Sequence, residues 1–460
     1  MMIEIFRGLR VAVLLSVIVP SVRAGAATAA PLPSDETGHI RMAQHQAGVP
    51  DALPLIDEST TLRDYLAYAA LNNAGLRADF SQWKAALERI PQVKSLPDPR
   101  FNYAYFIEEV ETRVGPQRQK FGLAQTFPWF GTLRLRGDAA GEAAAAAQQS
   151  YEKTKLQLFF RVKAAYYEYW YLAQALTVTR EHIQLVANLE GVTRTRFKAG
   201  AEAYSSVVQA QVELGKLDDQ LRTLESLREP IVATLNAAMN RPTQLPLPWP
   251  RSLPELVASF TDTQALAWLA ESNPDLLRLD HLVAKEDVGI ELARKSYYPD
   301  VTLGVDYGDM DEARNSGVSD SGKDPVVAMV SINLPIWYGK YRAEAREARL
   351  RKKAAEGQRE DVADRLAADV KLLLYHFHDA ERKIDLYGDT LVPKAEQSLE
   401  ATQQGFEAGS TPFISLIDAQ RMLLEFQLAH QRSQADRGRR LAEIEAIVGR
   451  EAHGRAIRSK

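Results

Sequence analysis

Apolar residues along this chain recur with two different periods, and the periods alternate in blocks. Phe101, Tyr103, Tyr105 and Ile107 take every second position, with Asn102 and Ala104 between them. Phe121, Leu123 and Phe127 alternate in the same way with Gly122, Ala124 and Thr126. Two later runs repeat the pattern. Val301, Leu303, Val305 and Tyr307 alternate with Thr302, Gly304, Asp306 and Gly308, and Ala328, Val330, Ile332 and Leu334 face away from Ser331 and Asn333. Successive side chains of a strand point to opposite faces, so each run predicts a strand with one apolar face. About nine to eleven residues suffice for a tilted membrane-spanning strand. A soluble four-stranded sheet covered by helices is the alternative.

Each strand pair gives way to a period near 3.5. Val362, Leu366, Val370, Leu373, Phe377, Ala380, Ile384, Tyr387 and Leu391 recur at intervals of three or four, the spacing of coiled-coil packing. Gly131 lies 66 residues before Phe197 and Gly339 lies 67 before Phe406. Helices of that length run about 100 Å, which no globular domain requires. Pro393 is expected to kink the second. Gly200 and Gly409 are expected to end the helices in left-handed caps. Amphipathic return helices then complete two helical hairpins with tips at Ala199-Gly200 and Ala408-Gly409.

The two hairpins belong to a duplicated unit. Phe197-Lys198-Ala199-Gly200 is echoed by Phe406-Glu407-Ala408-Gly409, and Ala210-Gln211 by Ala419-Gln420, both at an offset of 209. Gly131 and Gly339 are offset by 208, while Asn73 and Asn273, and Pro99 and Pro299, are offset by 200. The expected division is a first repeat over 61–250 (strands about 100–127, hairpin 131–240) and a second over 251–450 (strands about 299–334, hairpin 339–449). A signal peptide over 1–24, an N-terminal extension over 25–60 and a tail over 451–460 complete the chain.

Composition narrows the reading. Arg7 and Arg10 precede an apolar run from Val11 to Val22, and small residues follow, which is the order of a secretory signal cleaved after Ala24 or Ala29. The chain has no cysteine, so export implies no disulfide framework and no acylated N-terminal cysteine. A net charge of −4 offers no basic face for nucleic acid. The most apolar later stretch, Phe159 to Leu176, carries Arg161, Lys163 and Glu168, so a membrane crossing would have to use strands. Four strands cannot close a barrel, and an open edge in lipid leaves backbone groups unpaired. Oligomerisation follows, a trimer giving twelve strands.

These residues resemble the TolC family of outer-membrane efflux proteins. The resemblance rests on the two Phe-x-Ala-Gly tips with their following Ala-Gln pairs, on Asn273-Pro274, on Leu96-Pro97-Asp98-Pro99, and on Gln125-Thr126-Phe127-Pro128-Trp129-Phe130-Gly131. It covers roughly Leu62 to Gly449. It implies a mostly α fold with membrane β, a trimeric TolC-like α/β-barrel of four strands plus long hairpins per chain. It implies residence in the outer membrane with extension into the periplasm. Its expected partners are two further copies of the chain, outer-membrane lipid, a periplasmic adaptor at the tips (Ala199, Gly200, Ala408, Gly409) and an inner-membrane pump. The role implied is a passive, gated duct for small solutes or metal ions. A polypeptide-secretion channel, or a periplasmic adaptor or structural coiled-coil protein, is the alternative, although an adaptor has one hairpin and this chain has two.

Chemistry-bearing clusters are few. His376 and His378 are two apart on a helix and cannot share an ion. Asp309, Asp311, Glu312, Asp320 and Asp324 fall in the loop 308–324 without the spacing of a calcium loop. No catalytic triad, phosphate loop or zinc spacing occurs, so no enzyme, cofactor or metal site is expected. Asp418, nine residues past Gly409, is the candidate periplasmic gate, because the family narrows its entrance with an acidic residue there and acidic rings select cations. Ser415, where the family pattern has a second acid, and Gln209, the repeat equivalent of Asp418, add no charge.

Overall fold

A computed structural model describes residues 56–253 and 260–451. The expected signal peptide, the extension up to residue 55 and the tail beyond 451 lie outside the described residues. The alternating runs form β1 (Arg100–Thr112), β2 (Gly115–Phe127), β3 (Val301–Met310) and β4 (Val326–Ile332). They make one antiparallel sheet in the order β1-β2-β3-β4. Registration puts Phe101 beside Leu123, Leu123 beside Val305 and Val305 beside Ala328, so the apolar positions share one face. Their large side chains are exposed. The other face holds Asn102, Ala104, Lys120, Gly122, Thr302, Gly304 and Asp306, with Lys120 Nζ 2.9 Å from Asp306 Oδ2. Among the described residues neither β1 nor β4 has a second neighbour.

Two strand expectations need correction. Leu334 is not in β4. Asn333 turns its side-chain oxygen onto the Asp300 amide at 2.5 Å, ending the ladder, and Pro335, which has no N–H, follows. The simple alternation of β1 also fails past Tyr105, where the register jumps from Tyr105↔Gln119 to Val110↔Gln117. Such bulges reorient side chains, and Ile107 stands out of the pairing.

Nine helices are described: α1 (Leu62–Asn72), α2 (Ala74–Lys94), α3 (Thr132–Lys198), α4 (Tyr204–Ala238), α5 (Asp262–Ser272), α6 (Pro274–Lys295), α7 (Tyr338–Asp385), α8 (Val392–Glu407) and α9 (Phe413–Val448). Two helices precede each strand pair and meet at an asparagine. Asn73 and Asn273 leave the helical conformation at φ −65° and −67° with ψ near 120°. Each side-chain oxygen caps the next helix, accepting from Leu76 N and Leu276 N at 2.9 Å. Each side-chain amide reaches across to the end of a return helix, to the Ala238 carbonyl (3.0 Å) or the Ile447 carbonyl (2.6 Å). Both asparagines are buried. Replacing either with alanine removes a cap and strands a buried carbonyl, a cost of about 2 kcal/mol.

The helices pack through the stripes that the period predicted. Val370, Leu373, Leu374 and Phe377 of α7 meet Ala265 and Leu269 of α5 and Leu441, Ile444 and Val448 of α9. Nearer the tips, Leu399 and Phe406 of α8 pack with Leu189 of α3 and with Phe413, Leu416 and Ile417 of α9. α3 runs unbroken for 67 residues, about 100 Å. Its counterpart is interrupted, but not at Pro393 itself. A π-helical turn, Leu386–Leu391, joins α7 to α8, and Val392 N–H donates five residues back to the Tyr387 carbonyl. The burial pattern explains it. Buried positions of the two long helices correspond at an offset of 208 at Val162/Val370, Tyr166/Leu374, Tyr169/Phe377 and Leu172/Ala380. Past the turn, Val186/Ala395 and Gly200/Gly409 correspond at 209. The second helix holds one additional residue, and the wider turn absorbs it without rotating the tip. The ladder thus changes just before Pro393, at the first turn of α8, where a missing N–H costs least.

Candidate functional site

Both tips are closed by the same hydrogen-bond pair. Gly200 N–H donates to Phe197 O (2.9 Å) and Ala201 N–H to Arg196 O (2.9 Å); Gly409 N–H donates to Phe406 O (3.1 Å) and Ser410 N–H to Gly405 O (2.9 Å). This doubled closure needs a left-handed residue, and Gly200 and Gly409 supply φ of +74° and +78°. Ala199, Gly200, Ala408 and Gly409 are all exposed. The fold also brings the two tips together. Arg196 Nη1 donates to Glu407 O at 2.7 Å, and its guanidinium lies 4.9 Å from the centre of the Phe406 ring. In the sequence Arg196 stands only as the first residue of the repeated tip segment, with no role of its own. Its echo position holds Gly405, where an added Cβ would press on the Thr411 side chain at 3.1 Å from its Cβ. One tip carries the clasp and the other the space for its turn.

Asp418 is on the second turn of α9 and exposed, but it is not isolated. Arg421, one turn on, places Nη1 3.3 Å from Asp418 Oδ1 and Nη2 2.5 Å from Glu213 Oε2 on α4. Glu213 is buried, and Lys216 lies 3.8 Å from it. Arg421 therefore divides its charge between a buried carboxylate and the candidate gate. The i,i+3 Asp–Arg spacing was readable in the sequence; Glu213, 208 residues away, was not. Ser415 is half-buried and Gln209 exposed, so neither joins this network. Behind it His182 is buried, bonded at Nε2 to Gln427 Oε1 (2.8 Å) and at Nδ1 to Gln420 Nε2 (2.9 Å). Burial pushes its pKa below the ordinary value. His378 binds Asp262 (2.9 Å), whose hydrogen bond raises its pKa.

The acidic loop between β3 and β4 is largely paired. Asp311 meets Arg118 at 3.0 Å, Arg314 meets Glu109 and Glu111, and Asp324 accepts from Tyr307 Oη and from Met310 N. Among the described residues no cluster of metal-ligating side chains occurs, and no helix is long and apolar enough to cross a membrane. Among the described residues, much of the uncovered apolar surface lies on the sheet.

A small amphipathic sheet carrying two hairpins about 100 Å long defines an elongated fold in which a four-stranded sheet sits at one end of a long helical stalk. The chain belongs to the outer membrane efflux protein family, whose profile matches residues 66–241 and 266–450. It is 24% identical over 295 residues to outer membrane protein TolC of Vibrio cholerae, covering 63% of this chain and 66% of that one. It is 23% identical over 402 residues to the cobalt-zinc-cadmium resistance protein CzcC of Cupriavidus metallidurans, covering 85% and 90%. A membrane protein from Pseudomonas aeruginosa of known crystal structure superimposes with a TM-score of 0.73 at 20% identity, over 87% of this chain and 92% of that one. The chain spans about two thirds or less of the length of several relatives it matches, the Vibrio protein included.

Proposed function

We propose that the protein is the outer-membrane duct of a tripartite efflux complex, passive and gated, and catalyses no reaction. The observation that carries this is the sheet. Its apolar face is uncovered and its two edge strands are unpaired among the described residues, a state that lipid on one side and further copies of the chain at the edges would satisfy. Three chains of four strands make a barrel of twelve, with the small and polar face of Gly122, Gly304 and Asp306 lining the bore. The two halves of the chain act as copies of one unit and place six hairpins around the periplasmic tube. The clasped tips receive a periplasmic adaptor, which joins the duct to an inner-membrane pump that supplies the energy. The cargo is small solutes or metal ions. The match to CzcC over most of both chains favours metal cations.

Expression with the native leader followed by fractionation tests the reading. Detergent-extracted protein from the outer-membrane fraction should run as a trimer, and a deletion strain should become sensitive on a panel of metals and drugs. A monomeric, freely soluble periplasmic product would overturn it.

A further inference from the structure

The strands fix one end of the sheet as the place where all helical connections leave. Phe127 pairs with Val301 and Val301 with Ile332, so the chain beyond β2 and beyond β4 emerges at the same level as the start of β3. Several large side chains are uncovered there. Phe130 is 84% exposed and Trp337 72%, with Leu334, Ile336 and Tyr338 also exposed. Exposure is uneven at this level, Trp129 being half-buried although Tyr298 is exposed. Trp129, beside Phe130, stacks on Tyr298 with ring centres 4.9 Å apart and planes at 11°, and its backbone N–H donates to Asp300 Oδ1 at 3.0 Å. The uncovered band continues the apolar face of β4 through Val330 and Ile332.

Cations occupy the same level. Arg136 on α3, Lys295 at the end of α6, and Lys340 and Arg342 on α7 have no carboxylate partner among the described residues; Lys295 and Lys340 only face the Tyr298 and Tyr341 rings at 5.8 and 5.5 Å. α3 contacts α6 and α6 contacts α7, so the four lie along one row of helix ends. Carboxylates nearby are engaged: Asp138 by Arg134, Glu291 by Arg294, Glu344 by Ser296 Oγ, and Asp300 by Trp129 N–H. Asp98, Asp300 and Glu344 have no cationic partner among the described residues, and the four cations outnumber them. An aromatic and aliphatic band edged with unpaired cations matches a leaflet whose headgroups are negative, since aromatic rings settle at headgroup level and basic residues beside a membrane attract anionic lipid.

We propose that this band binds anionic phospholipid in the periplasmic leaflet, with Trp337 and Phe130 at the headgroup–acyl boundary and Arg136, Lys295, Lys340 and Arg342 on the headgroup charge. The assignment rests on the sheet being membrane-inserted. A second copy of the chain is the less favoured occupant, because inter-chain pairing falls to the sheet edges and an apolar interface would leave the cations facing one another's surface without carboxylates.

The test uses the full chain, extracted in detergent and reconstituted into phosphatidylcholine vesicles with or without phosphatidylglycerol. Lipids of either headgroup carry bromine near the headgroup or near the chain end. The Trp337 signal is the fluorescence difference between the parent and Trp337→Phe. Headgroup-proximal bromine should quench it more than chain-end bromine. Brominated phosphatidylglycerol should be enriched next to it over phosphatidylcholine by about fivefold, the scale of one engaged juxtamembrane cation. The variant carrying Arg136→Gln, Lys340→Gln and Arg342→Gln should still float with the vesicles but lose that preference. Equal quenching by both headgroups in the parent would overturn the proposal. So would quenching of Trp337 by aqueous acrylamide, which puts it in water, or protection from lipid and acrylamide alike, which puts a second copy over it. Failure of the protein to float would overturn the membrane reading itself.

Discussion

Arg196 of the first hairpin donates to the backbone carbonyl of Glu407 in the second, so the two tips of one chain form one surface rather than two. The guanidinium also covers the Phe406 ring, holding α3 and α8 together at the level where the chain turns back. The outer side of this surface is glycine. A Cβ at Gly200 meets nothing within 4 Å, and one at Gly409 meets only Arg196 Nη2, at 3.6 Å.

Substitution at the tips should therefore separate folding from docking. Left-handed φ makes any side chain at Gly200 or Gly409 cost about 1 kcal/mol, and asparagine less. Gly200→Asn and Gly409→Asn should preserve both assembly and export. Gly200→Trp and Gly409→Trp should leave trimers on a native gel and abolish export in a resistance assay. Unchanged resistance in a cell carrying both tryptophans would count against an adaptor seated at these turns.

The π-turn supports a deletion experiment. Removing one residue from an ordinary helix rotates everything beyond it by about 100°. Removing Gly388, inside the turn, should instead let the helix close into α geometry and leave the tip facing as before, provided Pro393→Ala restores the donor that a continuous helix needs. Deleting Arg180, the counterpart of Gly388 in the unbroken α3, should instead rotate the rest of that helix, scramble the packing of Leu189 against Phe406 and Leu399, and lose the assembled protein. Equal loss in both deletions would show that the turn does not house the additional residue.

Much of this fold was legible in the sequence, and what was missed has a common physical origin. Strand alternation, hairpin length and the glycine tips are local signals, set by neighbours within a few residues. Asn73 and Asn273 were visible as a repeat, but their joint depends on carbonyls at Ala238 and Ile447, about 170 positions away. Pro393 announced a break in the helix. Its location was set instead by the burial register of α7 against α5 and α9. At the candidate gate Asp418 could be picked out, while Glu213, which shares its cation, becomes a neighbour only when α4 packs beside α9.

Two histidines should give opposite pH dependence. His182 is buried and its pKa is depressed by desolvation, so the unfolded chain takes up its proton first as pH falls through about 6.5. Its contribution is complete above that pH and is lost on acidification toward its native pKa. His378 is raised by Asp262, so its contribution is complete below about pH 6.5 and is lost as pH rises through its native pKa. Denaturant midpoints between pH 5 and 8 should show a shallower acid-side fall in His182→Gln and a shallower alkaline-side fall in His378→Asn. A parallel shift of the whole curve in either variant would rule out that histidine as the source of the slope.

The gate itself can be decided by treating Asp418 and Arg421 as a unit. Asp418 is 60% exposed, and Arg421 neutralises it only partly, because the same guanidinium lies closer to Glu213. If three chains bring Asp418 to the periplasmic entrance, the residual carboxylate charges repel one another and attract divalent cations. Asp418→Ala should then raise the conductance of the isolated trimer and weaken block by divalent cations. The change should be modest, since Arg421 already offsets part of the charge and Ser415 and Gln209 add none. Arg421→Ala alone would strand the buried Glu213 and confuse gating with instability. The pair Arg421→Ala with Glu213→Gln avoids this, bares Asp418 fully, and should strengthen the divalent block. Single-channel recording in a planar bilayer reads both signs. Unchanged block in Asp418→Ala and in the double variant would make Asp418 a solvated helix-face residue and place the constriction elsewhere along α8 and α9.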